Sequence, residues 1–189
     1  VQEMIDMATL RDQGGKTLEL LMERRQGLVR EARRDAVGAI LVRDAVFPGD
    51  SVATAAGSYA VFVLGNDAFL IRENSELRTA AQSVLVGALR LWTGKLLSVF
   101  GRGSRNIVTT TATVGIRGTG INIEAEAERT YVCTCYGRVD LQANNMPEAR
   151  ETVQTTHHEA PRYVYAHGDM PIKMIEAAPV INHTDAELV

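Results

Sequence analysis

Apolar and polar positions follow two different rhythms along the chain. Residues 2–34, QEMIDMATLRDQGGKTLELLMERRQGLVREARR, set Met4, Ile5, Leu10, Leu18, Leu20, Leu21 and Leu28 among strong helix formers. That spacing predicts an amphipathic helix, broken near Gly14-Gly15 and again at Gly27. Such a helix either docks on a neighbouring core or uses its basic end, Arg24, Arg25, Arg30, Arg33 and Arg34, against a membrane or partner.

From residue 37 the chain changes to short runs rich in Val, Ile and Thr, separated by turn chemistry at spacings of about 8–12 residues. The predicted strands are Ala39–Leu41, Ser51–Thr54, Tyr59–Leu64, Ala68–Arg72, Glu76–Arg78, Ser83–Trp92, Lys95–Val99, Asn106–Thr110, Thr113–Ile116, Gly120–Ala125, Thr130–Tyr136 and Arg138–Leu141. Between them lie PGD, AAGS, GND, ENS, TGK, GRGSRN, RGT, AEAER and YG, most with a residue that tolerates positive φ. With no helical crossover, the expectation is a mainly β roll, solenoid or sandwich. After Leu141 the pattern weakens, and residues 142–189 read as an irregular extension. It wraps the β core, because Tyr163, Val164, Tyr165, Ile172, Met174 and Ile175 need somewhere to bury. The organisation is therefore a helical segment over 1–36, a β domain over 37–141 and a wrapping extension over 142–189.

Composition narrows the function classes. A chain of 189 residues, 46% apolar and 23% charged, can bury a sizeable core without staples. A net charge of −3 gives no electrostatic reason to expect nucleic acid or an anionic membrane as the main partner. No run of about 18 apolar residues marks a membrane span. The start at Val1 fits removal of a leader or anchor, or a trimmed chain.

The ordered segments PGDSVATAAGSYAVFVLGNDAFLIRENSEL, ALRLWTGKLLSVF, TTTATVGIRGTGINIE and TYVCTCYGRVDL resemble the FecR-like domain family. ATVGIRGTG at 112–120 is their most specific piece. The resemblance implies an extracytoplasmic, periplasmic β domain of roll or solenoid type. In the best-known members that domain relays a signal from an outer-membrane receptor to a sigma factor. This sequence carries neither a membrane helix nor a sigma-regulating region, so a stand-alone envelope protein that binds or assembles with protein partners, or with itself, is the first expectation. Read from the residues alone, Gly115 and Gly118 would permit tight turns beside Arg117, whose donors suit a buried structural role.

The only two cysteines, Cys133 and Cys135, occur in YVCTCYGR. On a strand, residues i and i+2 share a face, with Cα atoms about 6.6 Å apart and parallel Cβ vectors, a poor geometry for a disulfide. Three readings stand: a pair of small buried residues, a strained redox-active or intermolecular disulfide, or two ligands of a metal. The extension supplies imidazoles in His157, His158, His167 and His183, of which His157, His158 and His183 are the candidate partners. Adjacent His157 and His158 cannot both point one way in an extended segment. Thiolate with imidazole suits zinc, copper or iron. No nucleophile, base and oxyanion-hole constellation is recognisable, so the reading is non-enzymatic.

Overall fold

The computed structural model describes residues 8–12, 20–23, 39–42, 49, 51–64, 66–79, 88–167 and 174–184. The strands are β1 (Ala8–Asp12), β2 (Leu20–Glu23), β3 (Ala39–Val42), β4 (Ser51–Thr54), β5 (Ser58–Leu64), β6 (Asp67–Ile71) and β7 (Glu76–Arg78). They continue with β8 (Ala88–Val99), β9 (Ser104–Val108), β10 (Ala112–Ala125), β11 (Arg129–Ala143), β12 (Met146–Thr155), β13 (Arg162–Tyr165) and β14 (Ile175–Ala177). All join one open sheet with the main path β14-β13-β11-β10-β9-β8-β6-β5-β1-β3, while β12 pairs β11 and β2-β4-β7 attaches to β8. Pairing is antiparallel except between β8 and β9.

The sheet departs from the sequence-based expectation in three places. Within 1–36, where a helix was expected, the described residues are the strands β1 and β2; β1 pairs β3 and β5, and β2 pairs β4. Ladder pairing there overrides local helix propensity, which is worth only tenths of a kcal/mol per residue. The rest of that segment lies outside the described residues. The extension is not irregular either: β12, β13 and β14 add to the same sheet, with Ala149 and Val153 of MPEARETVQT buried. Val164 and Met174 enter the core as expected, and Ile172 lies outside the described residues.

The third departure matters most. TGK, RGT and YG were expected to be turns, but the strands run straight through them as β8, β10 and β11. Gly94, Gly118 and Gly137 have φ of 94°, 60° and 96°, a region other residues rarely adopt. Each glycine lies where a long strand changes partners. β10 pairs β9 up to Arg117 and β8 from Gly120; β11 pairs β13 up to Val132 and β12 from Gly137. Glycine inside a strand is the mark of a bulge that bends it, and here the bends let long strands serve both ends of the sheet.

Strand alternation then sorts residues between two faces. Leu96, Ile121, Ile123 and Val132 point into the main core, which also takes Phe62, Phe69, Leu77, Ile107 and Val139. The alternate residues Leu97, Tyr131, Cys133 and Cys135 form a second cluster, covered by Leu70, Tyr163, Ala178 and Ile181. The C-terminal segment thus closes the second face.

Arg117, expected to be a buried structural arginine, is exposed. Gly118 does take the positive φ expected of a turn glycine, whereas Gly115 does not; its surroundings are Asn106 and Asp140. Among the described residues the buried arginine is Arg105, whose Nε donates to Asp67 Oδ2 at 2.7 Å while Asp67 Oδ1 accepts from the Gly101 N–H at 3.0 Å. The inward-facing guanidinium is on β9 because β9 buries that position, while β10 presents Arg117 to solvent.

Candidate metal centre

Three separate segments meet on the second face. β11 contributes Cys133 and Cys135, both buried and neither in a disulfide. Thr134 between them turns to the other face, and its carbonyl accepts from Thr155 Oγ1 at 2.7 Å, holding the end of β12 against β11.

The second segment is the turn after β12. The His158 N–H donates to the Cys135 carbonyl at 3.0 Å, which brings the turn over the thiols. Glu159 shapes it: the carboxylate accepts from Thr156 Oγ1 at 2.6 Å, Thr156 N at 2.8 Å and His157 N at 3.2 Å. Those bonds, the Thr156 hydroxyl first, pull its pKa down to about 2. His158 itself sits at φ 49°, so the two adjacent histidines diverge, their rings at 80° to each other. His158 turns inward; His157 is exposed.

The third segment follows β14. Its Ala178 N–H donates to the Pro161 carbonyl at 2.9 Å, and its Ile181 N–H to Tyr131 Oη at 3.2 Å. Asn182, at φ 58°, donates through Nδ2 to both oxygens of Glu124, at 2.9 and 3.2 Å. His183 is thereby set over Cys133 and Cys135. Its Nδ1–H donates to the Ile181 carbonyl at 2.6 Å, which leaves the Nε2 lone pair directed at the cluster, 2.9 Å from His158 Nδ1. A hydrogen bond on the remote ring nitrogen is the usual way a metal-binding histidine is held in the right tautomer.

One donor atom from each of Cys133, Cys135, His158 and His183 lies within 4.8 Å of the others. Cys133 Sγ is 3.4 Å from His158 Nδ1. A tetrahedral zinc with S at about 2.3 Å and N at about 2.0–2.1 Å needs donor separations of about 3.3–3.8 Å, so shifts of under about an ångström complete the tetrahedron. Two thiolates and two imidazoles form a closed tetrahedral donor set, and its chemistry fits zinc or another thiophilic transition metal.

Electrostatics agree with that chemistry. The Cys133 pKa is drawn from 9.0 down to about 4, first by the neighbouring Cys135 side chain and then by the imidazoles of His183 and His158, against the opposing effect of burial. A ligand thiol must lose its proton, and this one is prepared to. Burial, with the neighbouring Cys133 charge, pushes the Tyr131 hydroxyl well above its ordinary value, so it stays a neutral donor that hydrogen-bonds Cys133. A single proton on His158 Nδ1 serves both Cys133 and His183; a cation in its place would serve all four donors.

Comparison with known proteins locates the fold and goes no further. No family model and no curated protein matches the chain. Two crystal structures of a provisionally assigned anti-sigma factor from Parabacteroides distasonis, at 1.65 and 2.50 Å, superpose with a TM-score of 0.55. Sequence identity is 15% and 16%, over 68% of this chain and 58% of theirs. The likeness is one of fold. The chain spans less than two thirds of the length of those structures.

Of the histidines singled out from sequence, His158 and His183 join the thiols, while the His157 ring packs edge-on against His158 with centroids 5.0 Å apart. His167 is exposed and outside the cluster. Sequence reasoning missed Asn122, Glu124 and Tyr131, which surround the thiols or anchor the tail. Their only signal is register: Asn122 pairs with Cys133, and Glu124 with Tyr131.

Proposed function

We propose that this chain is a non-enzymatic, extracytoplasmic FecR-like binding module whose C-terminal segment is clamped to its sheet by one transition-metal ion, zinc or a similarly thiophilic metal, held by Cys133, Cys135, His158 and His183. The observation that carries the reading is the convergence of those four donors, from three segments, within 4.8 Å. A closed set of two thiolates and two imidazoles leaves no open coordination position for substrate, which favours a structural over a catalytic ion. The ion would neutralise the thiolates and tie residues 178–183 over the second cluster, whose apolar surface would otherwise face water.

Elemental analysis of the natively purified protein tests this. One equivalent of metal in the wild type, lost in the Cys133→Ser/Cys135→Ser variant, supports the clamp. No metal in either protein, with both thiols free, overturns it and leaves the pair as packing.

The fold likeness to an anti-sigma factor favours a second reading, in which the domain relays a signal through an envelope partner and metal supply governs the docked segment. That reading requires a protein complex whose formation depends on metal. A metal-loaded chain that stays monomeric and partnerless in a native pull-down counts against it.

A further inference from the structure

Asn122 stands on β10 between Ile121 and Ile123, which both enter the main core, so its side chain points to the opposite face. Its Cα partners across the two ladders are Cys133 on β11 and Leu97 on β8, both members of the second cluster. Directly opposed residues of an antiparallel pair keep their Cβ atoms about 4.5–5.5 Å apart, so the side chains of Asn122 and Cys133 are cross-strand neighbours. Asn122 is 1% exposed, and its Nδ2 has no hydrogen-bond partner. A polar group in that state normally destabilises the fold, and an apolar residue of the same size would suit a buried strand position better.

Ion binding changes the needs of this face. His158 Nδ1, 3.4 Å from Cys133 Sγ, must then present a lone pair to the cation instead of a proton to the sulfur. Cys133 loses a donor at the moment its thiolate becomes a permanent ligand in a buried, low-dielectric place. We infer that Asn122 is a positioning residue of the metal centre, whose Nδ2–H donates to the Cys133 sulfur in the metal-bound protein. The bond orients the sulfur, as outer partners of metal ligands do, and because it donates to the ligating atom itself it disperses the thiolate charge and lowers its basicity. The inference rests on the clamp reading but adds a residue that no ligand pattern contains.

The test is titration of the reduced, metal-free protein with cobalt(II), comparing wild type with Asn122→Leu and Asn122→Ala. Wild type should bind one equivalent and develop a thiolate-to-cobalt charge-transfer band. In both variants affinity should fall about 10- to 100-fold, as for loss of other outer partners. The band should move to longer wavelength, because sulfur with one donor fewer gives up charge more easily, and the pH of half-release should rise, because a more basic thiolate competes better for protons. The metal-free Asn122→Leu protein should unfold at the wild-type denaturant concentration or higher, since an unpaired amide has been removed. Wild-type affinity and band position in the variants would overturn the inference while leaving the clamp intact. So would weaker binding with an unmoved band and an equal loss of metal-free stability, the signature of a merely structural role. A wild type without the band would overturn both readings together.

Discussion

Replacing His183 with alanine separates a metal clamp from ordinary packing of the tail. The imidazole is held through Nδ1 by the Ile181 carbonyl at 2.6 Å and through Nε2 against His158 at 2.9 Å, and it is the donor that the described part of the C-terminal segment adds to the cluster. Without metal, its removal costs these two hydrogen bonds and some packing of a half-buried ring, about 1–2 kcal/mol. With metal at a hundred times the wild-type dissociation constant, the ion stabilises the wild type by about 2.7 kcal/mol. If losing one of four donors weakens binding about 100-fold, the variant keeps only about 0.4 kcal/mol of that linkage. The metal-dependent difference of about 2.3 kcal/mol corresponds to about 5–9 °C in Tm for a chain of this size. The assay is a thermal-unfolding cycle, wild type and His183→Ala, each with and without zinc. Hydrogen exchange over residues 178–183 gives an independent readout, since these amides should lose metal-dependent protection in the variant. An identical Tm difference with and without zinc would refute the reasoning, because the ring would then act through packing alone.

Two further expectations follow from other parts of the structure. Asp67→Asn should leave Arg105, 6% exposed, as an uncompensated buried cation and cost about 3–5 kcal/mol in urea unfolding with cobalt affinity unchanged; a cost below about 1 kcal/mol would contradict the assignment of this pair as the buried ionic anchor. In the reduced, metal-free protein, the folded state holds Cys133 as a thiolate above about pH 4, whereas the unfolded chain keeps the proton up to its ordinary 9.0. Stability should therefore climb with pH across that window, and the contribution should vanish as pH falls through about 4. Urea midpoints measured from pH 4 to 9 should rise more steeply for wild type than for Cys133→Ser, and parallel profiles would exclude a native-state thiolate.

Local chemistry made much of the β core legible. Ser51–Thr54 and Glu76–Arg78 form strands with the predicted bounds, because alternation and flanking turn residues act within a few positions. The pairing of Cys133 and Cys135 on one face was equally legible, since it follows from the two-residue period of any strand. Gly94, Gly118 and Gly137 were legible as positions of positive φ but not as bulges, for the same dihedral serves a turn or a bend and only the neighbouring strand decides. The N-terminal residues read as helix by propensity and pair as strands where described, a case of long-range ladders outweighing small local preferences.

What the sequence determined by itself was the inventory and its local directions: two same-face thiols, a handful of imidazoles, and a chain that must form β structure. Which imidazoles reach the thiols was decided by tertiary structure. Turning inward at His158 instead of His157 depends on a φ of 49° and on the Glu159 bonds around that turn. Delivering His183 depends on Glu124 and Tyr131, more than forty residues away in the chain, catching Asn182 and Ile181. Contacts across such separations carry no periodic signal along the chain, because they arise from ladder register and bulge position, which bring distant residues together only once the sheet has formed.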